Sequence, residues 1–153
     1  MTQEDKQLLL KDLCARLPYG VMVSVQGGEF DSYKYPYQLT AVSKFGLDSF
    51  CKVYNSIYTP LGAPNVEDVK PYLRSMSSMT EEERKELKNV TCPNGTGYFH
   101  EQYLVCPVNH FGEQISFDFM SEIIDWLNEH HLDFRGLIEK GLALEAKEGM
   151  YKF

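Results

Sequence analysis

The segment Tyr33–Ser43, with the sequence YKYPYQLTAVS, decides the fold class of this chain. Its larger apolar side chains recur at every second position, at Tyr33, Tyr35, Tyr37, Leu39 and Ala41. This period of two is typical of a β-strand with one face on a core. Pro36 has no backbone N–H to donate, so it places the beginning of the strand at the edge of a sheet.

Further strand candidates lie on both sides of this segment. Gly20–Val25 is short and rich in valine, and Phe50–Tyr58 carries apolar residues on both faces. The connections are brief, which favours antiparallel pairing, and an SH3-like partial barrel is one arrangement that fits. Two more β segments are predicted, within Cys92–Phe117 and at Leu142–Ala146.

The first helix is predicted from its start and stop signals. Thr2 followed by Asp5 is an N-terminal capping pattern, and Pro18 ends the helical segment. Asp12 and Arg16 form an i,i+4 pair, which we expect on the solvent side. The opposite, apolar face is predicted to hold Leu10, Leu13, Cys14 and Leu17.

Two longer helices are predicted in the second half of the chain. Thr80 with Glu83 forms a capping box that begins a helix through about Lys88, and a second helix is predicted over Asp118–His131. Val66–Val69 suits one helical turn that ends before Pro71. The fold class is therefore predicted as α+β, a small antiparallel sheet with packed helices, in a single domain over residues 1–153.

Charge restricts the kinds of partner. The formal net charge is −7, and no cluster of lysine or arginine offsets it locally, so direct nucleic-acid binding is disfavoured. No apolar run approaches the ~20 residues that span a bilayer. The polar, acidic start of the sequence does not resemble a signal peptide, which predicts a cytoplasmic protein without a membrane partner.

Cysteine and histidine offer two alternatives for chemistry. Cys92, His100, Cys106 and His110 are four candidate zinc ligands within nineteen residues, although their spacing departs from common zinc-finger patterns. The favoured interpretation is that these residues flank a hairpin and bind no metal, so no cofactor is predicted. A pairing of Cys51 with His130 or His131 as a hydrolase nucleophile and base is weaker still.

The aromatic stripe Tyr33, Tyr35 and Tyr37 is the candidate binding site. At a sheet edge it could contact a protein partner, whereas the same alternation also marks the core-facing side of a strand. Asp133 and Arg135 are predicted to be structural, with Asp133 satisfying backbone amides at a turn and Arg135 reaching either a carboxylate or the carbonyls at a helix end. Trp126 and Cys14 are predicted to be buried in the core.

Three blocks of the sequence carry a resemblance. They are DLCARLPYGV at 12–21, VKPYLR at 69–74 with SSMTEEE at 77–83, and DWLN, DFRGLI and GLALEA at 125–128, 133–138 and 141–146. The chain resembles, in these blocks, a family of small uncharacterised proteins of gut anaerobes that often occur in prophage or other mobile-element contexts. The resemblance implies membership without an activity, and it leaves out residues 89–117.

The sequence predicts a non-enzymatic protein-binding accessory module of a mobile element. The partner is expected to be another protein, and the negative charge favours a basic one. The alternatives are a zinc-stabilised nucleic-acid-associated domain and, less favoured, a small hydrolase. The apolar residues of the C-terminal block predict that this block is part of the core rather than a free tail.

Overall fold

A computed structural model describes most of the chain. The described residues are 1–26, 36–45, 48–54, 64–91, 98–100, 103–105 and 117–151. Within these ranges no helix is long and apolar enough to cross a membrane. The helices are α1 (Gln3–Arg16), α2 (Glu81–Thr91) and α3 (Phe117–Glu129). The strands are β1 (Met22–Val25), β2 (Tyr37–Phe45), β3 (Asp48–Tyr54), β4 (Val69–Leu73), β5 (Tyr98–His100), β6 (Tyr103–Val105) and β7 (Leu144–Glu145).

The main sheet has the strand order β3-β2-β1-β4-β7. The first four strands pair antiparallel, and β7 pairs parallel to β4 through Tyr72 with Leu144 and Leu73 with Glu145. β5 and β6 form a separate antiparallel hairpin. The predicted α+β class is confirmed, and the SH3-like partial barrel stays a prediction.

Strand β4 differs from the sequence prediction, which has a helical turn ending before Pro71 and no strand here. That turn exists as a 3-10 helix at Val66–Asp68, and the chain then continues directly into β4. The Gln26 N–H donates to the Asp68 carbonyl at 2.8 Å. Because hydrogen-bonded and non-hydrogen-bonded pairs alternate between antiparallel strands, every second residue pair of β1 and β4, counted from this one, is hydrogen-bonded. Pro71, opposite Val23, falls between these positions, so its missing N–H costs no bond to β1.

The inward face of α1 differs from the expected one. Its buried residues are Leu9, Asp12, Leu13 and Arg16, whereas Cys14 is exposed. The prediction that Cys14 belongs to the core is therefore wrong, and so is the solvent-side placement of the Asp12–Arg16 pair. The apolar run Leu8–Leu10 allows several helical faces, and the pair is accommodated inside because other groups satisfy its charges. The predicted capping box is confirmed, with Thr2 and Asp5 exchanging hydrogen bonds of 3.1 Å.

Two groups of buried apolar side chains form the core. The larger lies between α1 and the sheet and includes Leu9, Leu13, Val21, Val23, Tyr37, Leu39, Val69, Leu73, Leu137, Leu142 and Ala143. The smaller joins α2 to α3 through Met79, Leu87, Trp126, Leu127 and Leu132. The C-terminal block contributes to both groups, and Trp126 is 6% exposed, as predicted for a core residue.

Candidate functional site

A buried charge network holds the C-terminal block against α1. Asp12 and Arg16 are both 0% exposed. One carboxylate oxygen of Asp12 accepts from Arg16 Nε at 2.8 Å, and the other accepts from an Arg135 guanidinium nitrogen at 2.5 Å. The two arginines compensate a carboxylate that would otherwise be costly to bury. Of the two partners predicted for Arg135, the structure shows the carboxylate.

Arg16 also binds the chain where α3 ends. Its guanidinium donates to the Leu132 carbonyl at 2.8 Å and, over a longer distance of 3.5 Å, to the Leu127 carbonyl. A cation is favourable there because the carbonyls at a helix C-terminus carry partial negative charge. The Phe134 ring lies within 5.6 Å of the Arg16 guanidinium carbon and 4.5 Å of that of Arg135. These contacts are structural; the Arg16 side chain is fully buried, and the Arg135 side chain keeps 14% of its exposure.

Asp133 fixes the turn that follows. Its two carboxylate oxygens accept from the backbone N–H groups of Leu137 and Ile138, both at 2.8 Å. This confirms the structural role predicted for Asp133. Gly141 closes the turn with φ +69°, a left-handed conformation that glycine adopts without strain. The block is thereby positioned so that β7 can pair with β4.

An open cleft of about 690 Å³ lies beside this arrangement, between the segment leading into α2 and the chain that follows β7. Its described lining residues are Arg74, Ser75, Ser78, Thr80, Glu82, Glu83, Glu145, Ala146, Lys147, Glu148, Gly149 and Tyr151. We take this cleft as the candidate functional site, because it is a concave surface that the buried network leaves open to solvent.

The first wall of the cleft is built around Arg74, which follows β4. Its guanidinium makes a two-pronged ion pair with the Glu83 carboxylate, at 2.6 and 2.8 Å, and donates to the Ser78 carbonyl at 3.2 Å. Glu83 also completes the predicted capping box, accepting from Thr80 N at 2.8 Å while Thr80 Oγ1 accepts from Glu83 N at 3.2 Å. The Arg74 hydrogen bonds lower the pKa of Glu83. This wall is fixed and its carboxylate is already engaged.

The second wall ends at Tyr151. The Ala146 N–H donates to the Leu73 carbonyl at 2.7 Å, which holds the chain directly after β7 to β4. Tyr151 then returns to the sheet, where its ring stacks on His131 with 3.8 Å between ring centroids. Burial raises the pKa of Tyr151, so its hydroxyl keeps its proton at physiological pH.

His131 lies behind this wall in a strained, enclosed position. It is 2% exposed and has φ 53°, which is uncommon for a residue with a side chain. Burial lowers the pKa of His131 to about 3, and the nearby positive charge of Arg16 acts in the same direction. His131 is therefore neutral at physiological pH. Its neighbour His130 is fixed differently, by stacking on Trp126 and by a 2.9 Å contact from Nδ1 to the Trp126 carbonyl.

The charge on the rim of the cleft is unbalanced. Arg74 is matched by Glu83, which leaves Lys147 facing the carboxylates of Glu82, Glu145 and Glu148. Those three side chains belong to exposed residues, and in the described parts of the chain none of them has an ion-pair partner within 4.0 Å. The cleft therefore presents a net negative surface.

The structure does not support an accessible aromatic stripe at Tyr37. This residue is 1% exposed and belongs to the core, so the core-facing interpretation of the alternation is correct at this position. Tyr33 and Tyr35 lie outside the described residues. Tyr37 therefore offers no surface to a partner, and the prediction for the other two tyrosines stays a prediction.

The candidate metal and nucleophile residues fall largely outside the description. Cys92, Cys106 and His110 are not among the described residues, and for His100 in β5 only the backbone is described. The same is true of Cys51 in β3, while its suggested partners His130 and His131 are buried. Across the described ranges no three His, Cys, Asp or Glu residues are grouped to hold a metal ion.

Sequence reasoning recognised parts of the cleft but not the cleft itself. The Thr80–Glu83 capping box is a local pattern and was found, whereas Arg74 and Tyr151 meet their partners over long sequence distances. One signal was available for the first wall, because Arg74 lies only nine residues before Glu83 in the sequence.

Comparisons with known proteins add no relative. No model of a protein family matches the chain. No curated protein sequence and no solved structure matches it significantly.

Proposed function

We propose that this protein is a non-enzymatic binding module that holds a basic segment of another protein in the cleft between the start of α2 and the C-terminal segment. The observation that carries this proposal is the charge on the rim: among the described lining residues, apart from the Arg74–Glu83 pair, the carboxylates of Glu82, Glu145 and Glu148 outnumber the one cation, Lys147. A lysine- or arginine-rich segment would supply the missing counter-charges.

The same charges disfavour other classes of ligand. Phosphate groups of nucleic acid would be repelled by the three carboxylates and by the net charge of −7. Catalysis needs a nucleophile and a base that lie within hydrogen-bonding distance of each other and are free to react. Glu83 is engaged by Arg74 and Thr80, and the Tyr151 hydroxyl accepts from one backbone group of the sheet and donates to another. These features support a binding role over a hydrolytic one.

The biological setting of this module is a separate part of the proposal. An accessory role in a mobile element, with a cytoplasmic location, rests on the resemblance of the three sequence blocks and on the composition. The cleft is consistent with that role because an accessory protein needs a stable scaffold and one accessible surface.

The test is peptide binding with matched charge variants. A panel of fluorescein-labelled nonapeptides that carry four lysines or arginines is titrated by anisotropy, with glutamate counterparts as controls. Glu145→Gln/Glu148→Gln removes two rim charges, and Glu81→Gln/Glu86→Gln removes two exposed charges of α2 outside the cleft lining. We expect the rim variant to weaken binding by about threefold to tenfold, since exposed ion pairs contribute up to about 1 kcal/mol each.

The control variant distinguishes binding at the cleft from general attraction by the protein's negative charge. It should change affinity by less than about twofold, because the removed charges lie away from the ligand. Equal weakening by both variants would show that only net charge attracts the peptides, and tight binding of the glutamate panel would contradict the proposal outright.

A further inference from the structure

The hydroxyl of Tyr151 lies between β1 and β4 of the main sheet, where a direct backbone hydrogen bond between the two strands is expected. β1 and β4 pair in the register Val23 with Pro71 and Ser24 with Lys70. Continuing this register places Met22 opposite Tyr72. Because hydrogen-bonded positions alternate from the Gln26–Asp68 bond, the Met22 N–H is expected to donate to the Tyr72 carbonyl.

The structure shows a bridged arrangement instead. The Met22 N–H donates to the Tyr151 hydroxyl oxygen at 3.0 Å, and that hydroxyl donates to the Tyr72 carbonyl at 2.8 Å. One side chain therefore satisfies both backbone groups and holds the ladder open at this position. A hydroxyl suits this place because it can accept and donate at the same time.

The segment that carries Tyr151 is tied to the fold at its two ends. At its start the Ala146 N–H donates to the Leu73 carbonyl, and at its end Tyr151 enters the ladder and stacks on His131. Between these ties lie Lys147, Glu148 and Gly149, all exposed, with one internal bond from Met150 N to the Lys147 carbonyl at 3.0 Å. We call residues 147–151 the strap.

We propose that the strap is a two-position latch on the cleft. In the latched position, seen here, Tyr151 bridges Met22 and Tyr72, and the strap forms the second wall. In the released position the strap leaves the cleft, and the Met22 N–H donates directly to the Tyr72 carbonyl. Neither backbone group is left without a partner in either position, so release avoids the cost of burying an unsatisfied polar group.

The latch connects the sheet with the rim. Lys147 and Glu148 belong both to the strap and to the cleft lining, so a ligand that contacts them favours one of the two positions. What the latch controls rests on the proposed binding function. The existence of two ladder states does not, and it is tested without any ligand.

The first measurement uses the full, unmodified chain. Relaxation dispersion of backbone ¹⁵N is expected to show exchange on the microsecond-to-millisecond scale with one shared rate at Met22, Tyr72 and Tyr151. The amides of Leu9 and Leu13 in α1 serve as the control and should show no such exchange. Flat dispersion at all three latch residues would overturn the proposal.

The second measurement uses Tyr151→Phe, which keeps the ring that stacks on His131 and removes only the hydroxyl. The ladder should close, which is seen as a coupling across a hydrogen bond from Met22 ¹⁵N to the Tyr72 carbonyl carbon that is absent from the unmodified protein. Protection of the Met22 amide against hydrogen exchange should then stay within about tenfold of its original value. A loss of protection greater than about tenfold, without that coupling, would show that Tyr151 is a fixed plug and would contradict the latch.

Discussion

Two of the protein's ion pairs between a guanidinium and a carboxylate differ in their surroundings. They are Arg16–Asp12 and Arg74–Glu83. The first pair is fully enclosed, and Arg135 and two carbonyls satisfy its remaining polar atoms. In the second pair the side chains of Arg74 and Glu83 keep 16% and 12% of their exposure, beside an open cleft. The comparison indicates that the buried pair fixes the C-terminal block, while the rim pair shapes a surface that a ligand can reach.

Asp12→Asn should have the largest effect on stability. The substitution keeps the shape of the side chain but leaves Arg16 and Arg135 without a counter-charge in a site that excludes water. We expect a loss of about 3–5 kcal/mol in the free energy of unfolding, measured by urea titration of the circular dichroism signal. Lys11→Gln, an exposed neighbour on α1, is the control and should stay within about 0.5 kcal/mol. If both variants unfold at the same urea concentration, the buried pair does not hold the block.

Acidification should weaken the buried region before it affects the rim. His131 faces Arg16, His130, Arg74 and the Tyr151 ring, and its pKa is lowered to about 3 from an ordinary 6.5. Between these values the unfolded chain binds a proton that the folded chain does not. Stability should therefore fall by about 1.4 kcal/mol for each pH unit below about 6.5 on account of this residue.

The contribution of His131 is isolated by measuring how the free energy of unfolding changes with pH. His131→Asn removes the titrating ring, and asparagine tolerates the positive φ at this position. Between pH 6 and pH 5, unfolding of this variant should take up about one proton fewer than unfolding of the unmodified protein. The free energy of unfolding of the variant should therefore depend less steeply on pH. This range lies above the ordinary pKa of Glu83, whose lowered pKa makes its own contribution disappear only at more acidic pH. Parallel slopes for the two proteins would mean that His131 is protonated when folded.

Glu83→Gln should cost much less than Asp12→Asn. Glutamine can still complete the capping box with Thr80, so the substitution removes mainly the charge that faces Arg74. We expect a loss of about 1 kcal/mol, because solvent screens a pair at the rim. Glu86→Gln on the exposed side of α2 is the matched control for charge and helix propensity. A loss as large as that of Asp12→Asn would erase the distinction between the two pairs.

The buried network and the cleft also differ in how much of each could be predicted from the sequence. The capping boxes at Thr2 and Thr80 were predicted because each depends on residues three positions apart. The Asp12–Arg16 pair was recognised but placed in solvent, since charged pairs are usually exposed and Arg135, which makes burial tolerable, is 123 residues away. Tyr151 meets Met22 and Tyr72 across 129 and 79 residues, distances at which local patterns carry no information. β4 was missed for a related reason, because the effect of Pro71 depends on which neighbouring strand its nitrogen faces.

The smallest expected effect concerns the outward face of α1. Cys14 is exposed, two positions from the buried Asp12. Cys14→Ser should leave the free energy of unfolding within about 0.5 kcal/mol. In the native, unmodified protein, peptide mapping after a short maleimide treatment should find label on Cys14. A native Cys14 that stays unlabelled until urea is added would place this face of α1 in the core, as the sequence had suggested, and would contradict the observed orientation of Asp12.

The most direct test of peptide binding in the cleft is to map which amide resonances of the protein shift when a basic peptide binds. A ¹⁵N-labelled sample is titrated with the tightest-binding nonapeptide of the lysine and arginine panel, at low and at moderate salt. We expect shifts at Glu82, Glu145, Lys147 and Glu148, and none at Asp12 or Arg16, because the cleft is open and this ion pair is fully buried. Shifts centred on α1 or on residues 98–105, with the cleft amides unchanged, would contradict the assignment of the cleft as the binding site.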